Sequence, residues 1–315
     1  MHIKKFLNVV ISIMCVSAFT SCGSNDDDQL PIASGISNQN EAAEADAMLS
    51  QGRAYEAAKK NSKALSTYKA IFKQYPQTNS AAEAKYAQAR ILDQQGDLLK
   101  AFEAYQDVIA RFPSSPHYAA AISRQETVAH AAANGVIQNS FLGMKTSIGP
   151  ENIEEMLGNV RDNAPRATSA PKAQYAIARV WQRNGNANKA IAAYQRIALD
   201  YPNSGNAPEA LYQQGEILTL KAKRGNQNTA HVDRAREIYS ELIRLYPSHS
   251  RATDARKRLV TLRAQDVQRS YETAEFYRKK GQNKAALFYY RELLRKVKSG
   301  SYHDLAKQRI TDLGG

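Results

Sequence analysis

From about residue 44 the chain alternates short amphipathic segments with polar turns, and the segments repeat. Aromatic-proline pairs stand at Tyr75-Pro76, Phe112-Pro113, Tyr201-Pro202 and Tyr246-Pro247. Twelve residues before each proline lies an alanine (Ala64, Ala101, Ala190, Ala235), and eight before it a tyrosine (Tyr68, Tyr105, Tyr194, Tyr239). Five before comes Ile71, Val108, Ile197 or Leu242. Offsets of four and then three residues place side chains on one face of an α-helix; the small alanine admits a neighbouring helix closely, and proline ends the segment. The basic residue before each alanine, Lys63, Lys100, Lys189 or Arg234, falls in the first turn and reads as solvated surface.

Each segment has a partner upstream. Ala84-x-Tyr86-x-x-Ala89 and Ala173-x-Tyr175-x-x-Ala178 recur as Ala210-x-Tyr212-x-x-Gly215, and Gly96-Asp97 and Gly185-Asn186 supply turns between partners. In the copy beginning at Ala210 the spacing from tyrosine to closing proline grows by eight residues, which predicts a polar loop around 221–229. A weaker copy keeps Ile153, Leu157 and Val160 before Pro165, with 135–149 as an insertion. The last copy places Ala285, Tyr289 and Leu293 in register, with Val297 in the proline position. From Arg251 to Gly281 no breaker interrupts the pattern, which predicts one helix of about thirty residues.

The spacing resembles the tetratricopeptide repeat, a helix-turn-helix unit of about 34 residues with Ala-x-x-x-aromatic and a closing proline. The predicted fold is all-α, a right-handed tetratricopeptide-like solenoid of about five to six helix pairs. Its repeats fall at about 44–76, 81–113, 116–165, 171–202, 207–247 and 252–298, followed by a capping helix to 315. Truncating a buried tyrosine to alanine costs about 3 kcal/mol or more, so the repeated tyrosines read as core before they read as ligand contacts.

The first residues follow another logic. Lys4 and Lys5 precede an apolar run from Phe6 to Phe19, and small residues lead to Cys22, the layout of an export signal over 1–21. Phe19-Thr20-Ser21-Cys22 resembles a bacterial lipobox, which implies a lipidated Cys22; an ordinary cleaved signal with an incidental cysteine is the alternative. Cys15 lies inside the signal, so no disulfide is available to the remainder. Residues 22–43 are polar, with Asp26-Asp27-Asp28, and read as a flexible tether or simply as a frayed terminus.

Across its 315 residues the chain is 43% hydrophobic and carries a net charge of +13. Much of that is local: Arg251 to Gly315 holds sixteen Lys and Arg against seven Asp and Glu. Such a basic end suits acidic protein surfaces, lipid head groups or nucleic acid, and an export signal argues against the last. No nucleic-acid partner is expected. The six histidines are dispersed, and neither a metal-binding spacing nor a phosphate loop nor a nucleophile elbow occurs. Neither an enzyme nor a metal or other cofactor is expected.

The long first helix of the last repeat, Phe276-Tyr277-x-x-x-Gly281 and Ala285-Ala286-x-x-Tyr289-Tyr290 resemble the BamD-like tetratricopeptide lipoproteins of the bacterial β-barrel assembly machinery. The resemblance implies an outer-membrane lipoprotein on the periplasmic face, held by its lipid anchor alone. Its partners would be the barrel-forming subunit, other assembly lipoproteins and unfolded outer-membrane proteins. It further implies that carboxyl-terminal repeats dock the barrel-forming subunit, which points to Arg256, Arg258, Arg263 and Arg269 on the long helix; a merely solvated basic face is the alternative. Capture of client segments by the amino-terminal repeats points to Tyr55, Arg90 and Gln94. A periplasmic scaffold for cell-wall or division coordination and a secretion-pore pilotin remain competing readings.

Overall fold

A computed structural model of the chain describes residues 39–136, 138–139, 145–224 and 229–315. The export segment, Cys22 and the tether as far as Asn38 lie outside the described residues. The described part forms six consecutive helix pairs and a closing helix. The pairs are α1 (Gln39–Ala57) with α2 (Asn61–Gln74), α3 (Asn79–Gln94) with α4 (Leu98–Arg111), and α5 (Tyr118–Ala133) with α6 (Pro150–Asn163). They continue as α7 (Ser169–Arg183) with α8 (Ala187–Asp200), α9 (Ala207–Arg224) with α10 (Thr229–Leu245), and α11 (Ser250–Lys279) with α12 (Asn283–Lys296), before α13 (Ser301–Asp312). Each helix packs chiefly on its chain neighbours, the nearest-neighbour arrangement of an α-solenoid.

Local chemistry explains the punctuation. Helices α2, α4, α8 and α10 stop one residue before the aromatic-proline pair, whose aromatic N–H closes the last turn, as in Tyr75 N to Ile71 O at 2.8 Å. Within the pairs, Gly96, Gly185 and Gly281 hold φ of +76°, +74° and +72°, the left-handed conformation that ends a helix most readily at glycine. Thr78, Asp97 and Asn186 then cap the helices that follow with their side chains.

The alanine, tyrosine and aliphatic positions read from the sequence form the core. Tyr68, Tyr105, Tyr194 and Tyr239 and the alanines four residues before them are fully buried or nearly so. In the degenerate third pair Ile153, Leu157 and Val160 are buried as well. The insertion after α5 contains two short antiparallel strands, β1 (Gln138–Asn139) and β2 (Lys145–Thr146), with Gln138 opposite Thr146.

Three expectations need correction. In the last pair the core residues are Ala286, Tyr290 and Leu293 rather than Ala285 and Tyr289; the register is shifted by one, and buried Val297 takes the place of the closing aromatic. The extra residues of the fifth pair do not all form a loop. Lys221 to Arg224 extend α9 to eighteen residues and α10 begins at Thr229, leaving 225–228 outside the described residues. Helix α1 starts at Gln39, inside the stretch expected to be tether, because Gln39 to Ala43 hold no breaker and continue the helical run.

Candidate functional site

Helix α11 is the element in which the fold departs from a uniform stack. Over its first half Ala252, Ala255 and Leu262 are buried, with Ala255 and Leu262 in the core shared with α9 and α10. Over its second half Val267, Tyr271 and Ala274 pack into a separate core with α12 and α13. Helical periodicity places Arg256, Val260 and Arg263 on the line that continues into Val267, Tyr271 and Ala274. That line is covered by α12 in the second half and open in the first, so Val260 is 70% exposed between two exposed arginines.

The candidate arginines therefore divide. Arg256 and Arg263 stand on the open line with Lys257 beside them, and Arg256 also reaches the Pro247 carbonyl at 3.4 Å. Arg258 and Arg269 lie on the opposite side, toward α9. Arg258 is paired with Glu216 at 2.6 Å. Half-buried Arg269 lines a cavity of about 260 Å³ with Lys223, Val232, Leu262 and Glu272, and its Nε has no hydrogen-bond partner among the described residues. The structure brings Arg256 and Arg263 together and separates them from the other two.

At the amino-terminal end, Tyr55 of α1 is half-buried against the first core, its hydroxyl accepting from Gln51 at 3.3 Å and its ring 5.8 Å from Lys63 Nζ. Arg90 of α3 is held in an ion pair with Glu56, next to Tyr55 in the chain, and Gln94 is exposed one turn further along α3. Tyr55 belongs to the first pair and Arg90 and Gln94 to the second, and Arg90 is already engaged.

Sequence reading missed the reason why Arg90 and Arg258 are engaged. Each of the five fully buried tyrosines donates its hydroxyl to a polar side chain of the preceding helix: Tyr68 to Glu56 (3.0 Å), Tyr105 to Asp93 (3.3 Å), Tyr194 to Gln182 (2.6 Å), Tyr239 to Glu216 (2.6 Å) and Tyr290 to Glu275. The same group is then gripped from the next pair or from the closing helix, by Arg90, Arg124, Gln213, Arg258 and Arg309 respectively. The result is a ladder of side-chain hydrogen bonds that joins one repeat to the next: the arginines donate to the carboxylates, whereas Gln182 donates to Gln213 at 3.1 Å. The signal was present: Glu56, Asp93 and Gln182 each lie twelve residues before their tyrosine.

Burial raises the pKa values of these tyrosines, Tyr105 to about 12, and the carboxylate acceptors add to it at Tyr68, Tyr105, Tyr239 and Tyr290. At the last rung Arg278, then Tyr290 and Arg309, hold the Glu275 carboxyl down at about 2 against the cost of its burial. The third pair has no tyrosine at this position. Asn163 there donates to Gln106 at 2.8 Å and Gln125 at 2.9 Å, and Gln125 donates to Gln106 at 2.5 Å, a side-chain network that joins α4, α5 and α6. Among the described residues no group of three or more His, Cys, Asp or Glu is placed to hold a metal ion, and no helix is long and apolar enough to cross a membrane.

Residues 49–116, which span most of the first two pairs, match the model of a tetratricopeptide repeat family. The chain has a tetratricopeptide-like α-solenoid fold. Residues 151–307, from α6 into α13, match the model of the YfiO family, described as an outer membrane lipoprotein. Similar solved structures include a tetratricopeptide repeat protein from Parabacteroides merdae, 14% identical, covering 86% of this chain and 99% of that one at a TM-score of 0.30. Another is MamA from Desulfovibrio magneticus, 16% identical, covering 65% and 97% at 0.29. A third is pilF from Pseudomonas aeruginosa, 10% identical, covering 85% and 99% at 0.29. No curated protein matches the sequence. In this α-solenoid the match from 151 onward coincides with the half that holds α11 and its open line of Arg256, Val260 and Arg263.

Proposed function

We propose that the chain is a non-catalytic scaffold of the β-barrel assembly machinery, anchored to the periplasmic face of the outer membrane through a lipidated Cys22. In this reading it docks the periplasmic domains of the barrel-forming subunit and helps to recruit unfolded outer-membrane proteins. The observation that carries the reading is the match of residues 151–307 to an outer membrane lipoprotein family, because that stretch contains the whole of α11. An exposed Val260 flanked by Arg256 and Arg263 suits an acidic protein surface with an apolar centre: the arginines steer the encounter and the valine contributes area. Arg258 has a smaller part in docking, since its guanidinium is committed to Glu216.

Photocrosslinking from position 263 in native envelopes tests this reading. It predicts that the barrel-forming subunit is recovered from position 263 and much less from position 258. Recovery of cell-wall synthases or of a secretin from position 263 would transfer the protein to one of the competing scaffold roles.

A further inference from the structure

The last helix pair carries a row of aromatic rings whose middle two, Tyr277 and Tyr289, pack partly on its core and whose outer two, Phe276 and Phe288, do not. Ala274, Ala286, Tyr290 and Leu293 are buried inside the pair. Outside it, Phe276 of α11 and Phe288 of α12 are 55% and 57% exposed. They end a row of four rings: Phe276 lies 5.5 Å from Tyr277, Tyr277 stacks on Tyr289 at 5.1 Å and 7°, and Tyr289 lies 5.3 Å from Phe288. Two large rings joined into one apolar patch and left to water mark a surface that is covered in use.

The charge around the patch indicates what covers it. Lys279 and Lys280 follow Phe276, Lys284 stands one turn before Phe288, and all three are exposed. Lys280 Nζ lies 5.6 Å from the centre of the Phe276 ring. Nearby carboxylates are committed elsewhere: Glu275 to Arg278, Arg309 and Tyr290, Glu292 to Arg295, and Glu272 to Gln268. The cations here are mostly lysines, Lys279, Lys280 and Lys284, with exposed Arg291 one turn after Phe288, whereas the open line on the first half of α11 offers the arginines that protein interfaces favour. Rings ringed by lysine ammonium groups have the composition of a membrane–water interface: the rings enter the boundary between head groups and acyl chains while the ammonium groups lie over phosphates.

We propose that this face of the α11–α12 hairpin rests on an anionic phospholipid surface, with Phe276 and Phe288 inserted and Lys279, Lys280 and Lys284 over the head groups. The contact is separate from the proposed docking line and does not depend on acylation of Cys22. It would hold the carboxyl-terminal repeats, which lie far along the chain from Cys22, against the bilayer.

The test is vesicle flotation with residues 23–315, which lack both signal and lipid but retain α1 to α13 with their own cores. The chain is expected to float with vesicles of phosphatidylglycerol in phosphatidylcholine, not with phosphatidylcholine alone, and less so as salt rises. F276S/F288S and K280E/K284E should each lower the bound fraction about tenfold with an unchanged helical spectrum, since the four side chains are exposed. R256E/R263E should leave flotation intact, and F276S/F288S should leave crosslinking from position 263 intact, which separates a failure here from a failure of the docking reading. Absence of flotation, or flotation that survives F276S/F288S, overturns the proposal. Loss of a co-purifying protein in F276S/F288S without any lipid binding would overturn it equally, by assigning the face to a protein partner.

Discussion

A Cβ placed on Gly52 would stand 2.9 Å from Cδ1 of Tyr68 and closer still to the next atom of that ring, so the absence of a side chain on α1 lets the buried tyrosine of α2 seat fully. Gly215 of α9 and Tyr239 of α10 repeat the relationship at the same distance. In the second and fourth pairs an alanine, Ala89 or Ala178, occupies the position of Gly215 in the repeat and is fully buried.

Gly52→Ala and Gly215→Ala are therefore expected to destabilise. Alanine favours a helix interior by about 1 kcal/mol over glycine, while overpacking a closed core costs about 1–3 kcal/mol, and a fully buried ring has little room to yield. A net loss of up to about 2 kcal/mol, measured by urea unfolding, is the expected outcome. Gly205→Ala, where a Cβ would meet nothing within 4 Å, serves as the control.

Stability should fall at both ends of the pH scale, for different reasons. Glu275 has a depressed pKa of about 2, so its contribution is complete above the unfolded value near 4.5 and is lost as pH falls toward 2. The buried tyrosines have raised values, so their contribution is complete below about 10 and is lost as pH rises through their folded values, about 12 for Tyr105. Thermal midpoints across pH should show Glu275→Gln flattening the acid limb between 4.5 and 2 and also moving the alkaline limb, because burial and then Glu275 hold the Tyr290 pKa up. An acid limb identical to wild type would show that Glu275 is not held as described.

The ladder makes Tyr239, Glu216 and Arg258 one unit. Tyr239→Phe removes a hydrogen bond to a carboxylate, worth about 1.5–3 kcal/mol, and Arg258→Met removes a partly exposed ion pair worth about 1 kcal/mol or less. Because both partners share Glu216, a double-mutant cycle should show a coupling of about 0.5 kcal/mol or more. Additive effects would mean that adjacent repeats are joined by apolar packing alone.

Much of this was legible beforehand because the repeat writes its core at fixed offsets from a proline. Where the proline is absent the reading slipped: the doublets Ala285-Ala286 and Tyr289-Tyr290 fit two registers, and only the closing residue separates them. The ladder was harder to see. Arg90 and Arg258 read as free surface cations because their carboxylates lie 34 and 42 residues away in the chain. Sequence proximity reports helix faces, whereas these pairs are set by how one repeat stacks on the next. The open line on α11 escaped notice because a helix whose buried face turns partway along has no single amphipathic stripe to read.

Cys22→Ser should abolish labelling by palmitate and leave the protein on envelope membranes only through the salt-sensitive contact of the α11–α12 face, so that a high-salt wash releases the variant and not the wild type. Undiminished labelling would exclude Cys22 as the acylated residue.

The most direct test of the account replaces Arg256 and Arg263 with glutamate in the native copy and measures the amount of folded β-barrel protein in the outer membrane. The account predicts a marked fall in folded barrels while the level of the variant and its helical spectrum stay normal. Unchanged barrel levels, with a defect instead in cell-wall synthesis or secretion, would contradict it.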